Sequence, residues 1–242
     1  MRKIKIFTLI CSALLIVACA PPMKVEDVSF IPPSSIQGCQ NLEGLEIAVE
    51  PIDSLHESEN IFHTDLKEAQ VLPVHIIVQN TGNKEFEINH QQMFGILPNG
   101  RYQVAFTLDN AANKIRNSSI GTTAVTQTVA GAALGAAVGA GVGAGIGYAA
   151  GDTGTGAGAG AIIGGTTGAV AGLGDGVSDR WTFEFKKQLT THAFQDRVIY
   201  PGDIQQGFIY LRWNKYKKLR MKIFNISDNT TKEMVFPMYV ER

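Results

Sequence analysis

His56, Glu57 and His63 are the residues whose types most invite metal or acid–base chemistry. A zinc-binding helix places its histidines four apart, a spacing that His56 and His63 lack, so a solvated loop is the better reading. His75 stands in the apolar stretch Leu72-Pro73-Val74-His75-Ile76-Ile77-Val78 and reads as a core or face residue of a strand, not a ligand. No Gly-x-Ser-x-Gly elbow and no phosphate loop occurs. Gly-x-Gly repeats are present, but no strand leads into them and no acidic residue follows at the dinucleotide-fingerprint distance. Lys215, Lys217, Lys218, Arg220 and Lys222 form a basic run beside Trp213 and Tyr216. Its default reading is a solvated sheet face, with anionic lipid or a peptidoglycan-associated partner as the alternative. A formal charge of −1 gives no sign of nucleic-acid binding. The residues therefore suggest neither an enzyme nor a metal or small-molecule site.

The cysteines point elsewhere. Arg2, Lys3 and Lys5 form a positive n-region, and Ile6 to Val17 is an apolar run too short to span a bilayer. The run ends in Ile16-Val17-Ala18-Cys19, which resembles the lipobox of bacterial lipoproteins. That resemblance implies cleavage before Cys19, a diacylglycerol on its sulfur and an acyl chain on the new amine. It also implies sorting to the outer membrane, because Ala20 stands where an aspartate favours inner-membrane retention. A covalent lipid on Cys19 would be the one prosthetic group, and no cofactor is expected. Cys11 leaves with the signal, so Cys39 remains alone, as a buried thiol or an intermolecular bridge.

Glycine supplies the other conspicuous spacing. It recurs at every fourth residue in Gly131, Gly135, Gly139, Gly143, Gly147 and Gly151, and again in Gly156, Gly160, Gly164, Gly168, Gly172 and Gly176. Residues four apart stack on one helix face, so each run makes a bare stripe that another backbone can approach closely. Twenty residue steps at 1.5 Å give roughly 30 Å, the thickness of a hydrocarbon core. No charged residue occurs from Asn117 to Gly151 or from Thr153 to Gly174, and Asp152 lies in the break between. In water, twelve stripe glycines disfavour an isolated helix by about 12 kcal/mol. In hydrocarbon an unbonded amide costs more than glycine's entropy, and small-xxx-small stripes let helices pack. The reading is a membrane-inserted glycine-zipper hairpin, with a soluble packed hairpin or disorder as the alternatives. Further small residues, Gly141, Gly145 and Gly158, give the helices additional smooth faces that suit self-association or an envelope partner.

Around this hairpin the pattern is of strands. Leu45-Val49, Leu72-Val78, Phe86-Ile88 and Tyr102-Phe106 precede it, whereas Gly207-Leu211, Leu219-Phe224 and Glu233-Phe236 follow. Asn80-Thr81-Gly82-Asn83, Pro98-Asn99-Gly100 and Ser227-Asp228-Asn229-Thr230 are turns. Thr107 or Asp109 can cap a helix through Ala111, Ala112 and Ile115, and Trp181, Phe185 and Leu189 repeat at helical spacing on the return. The expected class is α+β, an immunoglobulin-like antiparallel β-sandwich with an inserted glycine-zipper α-helical hairpin. Its divisions are a signal peptide at 1–18 and a lipidated, proline-rich tether at 19–44, extended through Ala20 to Gln37. The sandwich halves lie at 45–106 and 196–242, with the inserted hairpin at 107–195 and its zippers at 131–151 and 156–176.

With the lipobox, the Leu72-Pro73-Val74 strand running to Asn80, the glycine hairpin and Tyr200-Pro201-Gly202 before Gly207-Phe208, the chain resembles bacterial glycine-zipper lipoproteins. The resemblance implies location and architecture more than activity. Surface-exclusion lipoproteins of conjugative plasmids are similar in plan, and a role in exclusion or serum resistance would follow by analogy. The expected function is that of a non-enzymatic outer-membrane lipoprotein with its sandwich in the periplasm. A soluble periplasmic module whose hairpin packs on a partner is the alternative, and a hairpin that permeabilises other membranes is a third reading.

Overall fold

In the computed structural model the chain divides into two compact units, Met1–Pro22 with Thr123–Ser178, and Met23–Thr122 with Asp179–Arg242. The structure describes residues 23–122 and 174–240. The second unit is therefore described nearly whole, and the first only over residues 174–178, which are helical.

In chain order the strands of the second unit begin with β1 (Gln40–Leu42), β2 (Leu45–Pro51), β3 (Val71–Asn80), β4 (Phe86–Ile88) and β5 (Phe94–Ile96). They continue with β6 (Tyr102–Val104), β7 (Arg197–Ile199), β8 (Ile204–Arg212), β9 (Lys218–Asn225) and β10 (Thr230–Pro237). Among the described residues, α1 (Leu55–Phe62), α2 (Leu108–Arg116) and α3 (Gly174–Thr191) accompany them, with further helix at 119–122. The class is thus α+β, built on two antiparallel sheets. One has the order β1-β2-β3-β8. In the other, β9 pairs along its whole length with β10, and its opposite edge is shared by β5 at its start and β4 at its end. β6 and β7 extend that sheet beyond β5 and β4.

Every strand expected from alternation and turn residues is present. β1, β5 and β7 are additional, and at three residues each they are too short to show a period. Inward residues of both sheets form one apolar cluster, with Ile47, Ile76 and Leu211 from the first and Phe86, Met221 and Phe236 from the second. Pro73 opposes Tyr210 of β8 beyond the end of the β2 ladder, which stops at Pro51 and Val74, so no ladder donor is lost on that side.

Three expectations need correction. The tether does not stay extended and free: Met23 is 1% exposed and Val25 is buried. The Lys24 N–H donates to the Phe62 carbonyl at 3.3 Å and the Glu26 N–H to that of Ile61 at 2.8 Å. Apolar side chains spaced two apart, with donors facing a helix end, make this segment a docked arm despite its flanking prolines. His56 and Glu57 lie on α1, not in a loop, and His63 ends it in the left-handed conformation at φ 55°. Ser54 caps its start, accepting from the Glu57 N–H at 3.2 Å, and its hydroxyl donates to the Glu57 carboxylate at 2.8 Å. Cys39 is a free thiol that is half-buried, not part of the core.

Candidate functional site

The segments that lead into and out of the glycine-rich stretch are where sequence and structure meet. α2 begins at Thr107, whose hydroxyl accepts from the Asn110 N–H at 3.2 Å and satisfies one of the free helix-end donors. Asp109 in its first turn and Lys114 and Arg116 in its last complement the helix dipole. Ala111, Ala112 and Ile115 form its buried face, as their spacing predicts. The chain re-enters helix at Ser119, whose hydroxyl bonds the Glu68 carboxylate.

On the return, Phe185 and Leu189 of α3 are fully buried while Trp181 is half-buried. The Tyr210 hydroxyl of β8 donates to the Leu189 carbonyl at 3.3 Å. Burial pushes that phenol far above its ordinary range, so it remains a neutral donor. Lys186 meets Asp109 at 2.7 Å, tying α3 to α2 through an exposed pair of little energetic weight.

Beneath the helices lies the outward side of the four-stranded sheet, which is apolar too. Phe62 of α1 packs edge-on against Phe208 at 5.3 Å, and His75 stacks on the same ring at 4.8 Å. Gly207 beside it has no room for a side chain, because a Cβ would stand 2.6 Å from the Phe194 backbone. That close approach lets the chain leaving α3 bond β8: the Phe194 N–H donates to the Phe208 carbonyl at 2.9 Å, and the Phe208 N–H to that of His192 at 2.8 Å.

The amino-terminal arm completes this layer. The Val25 N–H donates to the Gln188 side-chain oxygen of α3 at 3.2 Å, and the Gln206 amide donates to the Val28 carbonyl at 3.4 Å. Glu26 takes Lys24 at 2.7 Å and His63 at 2.9 Å, and these two bonds hold its carboxyl below the usual range. His75 is 3% exposed, and its Nε2 lies 2.5 Å from the Gln206 carbonyl oxygen. Since that amide gives its N–H to Val28, the imidazole proton is assigned to Nε2. Burial lowers the His75 pKa, outweighing the Gln206 bond, and Glu50 lies 3.9 Å from Nδ1. The ring is a neutral, enclosed packing group.

The other candidates resolve plainly. Among the described residues no group of histidine, cysteine, aspartate and glutamate could hold a metal. His56 bonds Asn60 at 3.1 Å along its own helix. The basic run splits by position: Lys218 and Lys222 point outward from β9, while Tyr216 is buried, its hydroxyl donating to the Arg212 carbonyl at 2.8 Å and pushed up to about 12 by burial. Arg220 is bonded to Glu233 at 2.5 Å and lies 5.5 Å from the Phe94 ring. With Tyr102 these line an open depression of about 360 Å³ on the six-stranded sheet. A second depression, about 310 Å³, carries Gln195, Arg197, Gln205 and Gln206. There Arg197 donates to Gln205 at 2.8 Å and Gln205 to the Gln195 carbonyl at 2.6 Å, so these amides already serve one another.

Gly176 lies within α3. Cys19 and the other stripe glycines, Gly131 to Gly172, fall outside the described residues. Among the described residues no helix is long and apolar enough to cross a membrane. What sequence reasoning missed is the arm and α1; the Ser54-x-x-Glu57 spacing and the Met23-x-Val25 pair were the signals that could have found them. Comparison with family models, with curated proteins and with solved structures found no match in any of the three.

Proposed function

We propose that this protein is a non-enzymatic lipoprotein of the bacterial outer membrane, anchored by lipid on Cys19. Its immunoglobulin-like sandwich faces the periplasm, and its glycine-zipper hairpin inserts in the membrane. There the hairpin packs against copies of itself or another envelope protein, in an accessory role in envelope integrity or in a surface or secretion complex. One observation carries the reading: glycine keeps a period of four through two uncharged runs, each long enough to cross a hydrocarbon core. A flexible linker has no reason to hold such a period.

The described legs support the same plan. An insertion is tolerated when its ends are close, and the Lys186–Asp109 pair joins the two legs directly.

Carbonate extraction of a Cys19→Ser variant tests the proposal. Retention of the unlipidated protein in the membrane pellet is the expected result. Replacing the stripe glycines by alanine in that variant should release it and abolish cross-linked oligomers. Full release of Cys19→Ser itself would overturn insertion and leave the soluble, partner-binding module standing.

A further inference from the structure

Exposed apolar side chains do not by themselves reveal which side of the domain meets the membrane. Phe183 on α3 is 67% exposed, but Tyr102 on β6 is 60% exposed and Tyr239 is 78% exposed. The arm decides between them. Met23 is locked into the domain by its own burial and by the bonds at Lys24, Val25 and Glu26. Three residues, Ala20, Pro21 and Pro22, separate it from Cys19. Four Cα steps reach at most about 14 Å even when fully stretched.

We propose that the layer formed by the arm, α1, α2 and α3 is the face that rests on the bilayer surface, held there by this three-residue leash. The inference rests on the reading of Cys19 as the lipidated residue. Packed sheets stand about 10 Å apart and a helical layer is about 10–12 Å thick, so the outward side of the six-stranded sheet lies on the order of 20 Å behind the arm. The leash cannot carry that side to the lipid. Both legs of the insertion belong to this same helical layer. Phe183 stands on the side of α3 opposite Phe185, where it can enter the interfacial region, and Lys187 beside it is placed for anionic headgroups. The Lys218–Lys222 face, on the far sheet, is then turned away from the membrane.

The test uses full-length lipidated protein in vesicles of phosphatidylethanolamine and phosphatidylglycerol. On a Cys39→Ser background, Phe183→Cys or Lys222→Cys is labelled with a polarity-sensitive fluorophore and quenched by nitroxide-bearing lipids. Quenching several-fold stronger at position 183 than at 222 is expected. Equal or reversed quenching, with the acyl mass verified on the Cys19 peptide, overturns the orientation and leaves the lipoprotein reading intact. Absence of that acyl mass overturns both.

Discussion

β3 and β9 are central strands of similar length in one domain, yet their burial patterns are opposite. β9 alternates strictly, with Leu219, Met221, Ile223 and Asn225 buried and Lys218 and Lys222 exposed. β3 is buried at nine of its ten positions. An antiparallel strand with one wet face alternates, whereas a strand covered on both faces reads as a continuous apolar run. The difference shows that the four-stranded sheet has a second cover. One face meets the opposing sheet, and the other meets α1, α2, α3 and the arm. Two of those helices are the legs of the insertion. The insertion is therefore no mere appendage, because its legs complete the packing of the strand at the centre of the domain.

Replacing a leg residue should break this comparison most severely. Phe185→Ala opens a cavity over the four-stranded sheet and should cost about 3–5 kcal/mol. Phe224→Ala, on the half-solvated face of β9, should cost about 1 kcal/mol. Denaturant unfolding of the purified variants measures both; equal losses would mean that the helical layer contributes nothing. Asn80→Ala comes next. Its amide donates to the Lys84 carbonyl at 2.7 Å and to the Ile199 carbonyl of β7 at 3.1 Å, joining the end of one sheet to the other. One buried and one half-buried acceptor would lose their donor, for about 1–3 kcal/mol in the same measurement.

His75 sharpens the contrast through pH. Its folded pKa is depressed by burial under the arm, so the unfolded chain binds the proton more readily. The stability is fully present above the unfolded value of about 6.5 and is lost as pH falls through the folded pKa. His75→Gln should flatten unfolding free energy across that window, and an unchanged slope would refute the assignment. The smallest effect belongs to Lys222→Ala, which should lie within about 0.5 kcal/mol of the parent. A larger loss there would mean that the basic sheet face is covered after all.

Legibility followed the same division. Strands with their own alternation or β-branched run, such as Leu72–Val78 and Leu219–Phe224, could be read directly because side-chain period is a local property. A cap at Thr107 or Asp109 and the Ala111, Ala112, Ile115 stripe were equally legible, and the structure selects Thr107 as the cap. α1 was not legible, since its eight residues are mostly polar and only the Ser54-x-x-Glu57 spacing betrays it. The arm was missed because Pro21-Pro22 and Pro32-Pro33 look like a spacer, and the Met23-x-Val25 pair is too short to show a period of its own. The partnership of His75 with Gln206 spans 131 positions and exists only once β3 lies beside β8.

What residue order determined alone is whatever depends on near neighbours: the strand periods, the turns, the capped leg and the four-residue glycine repeat. Tertiary structure alone decided what depends on distant chain meeting in space. It set the second cover on β3, the docking of the arm and the neutrality of His75. Burial is a property of surroundings, and these were assembled from segments as much as 178 residues apart.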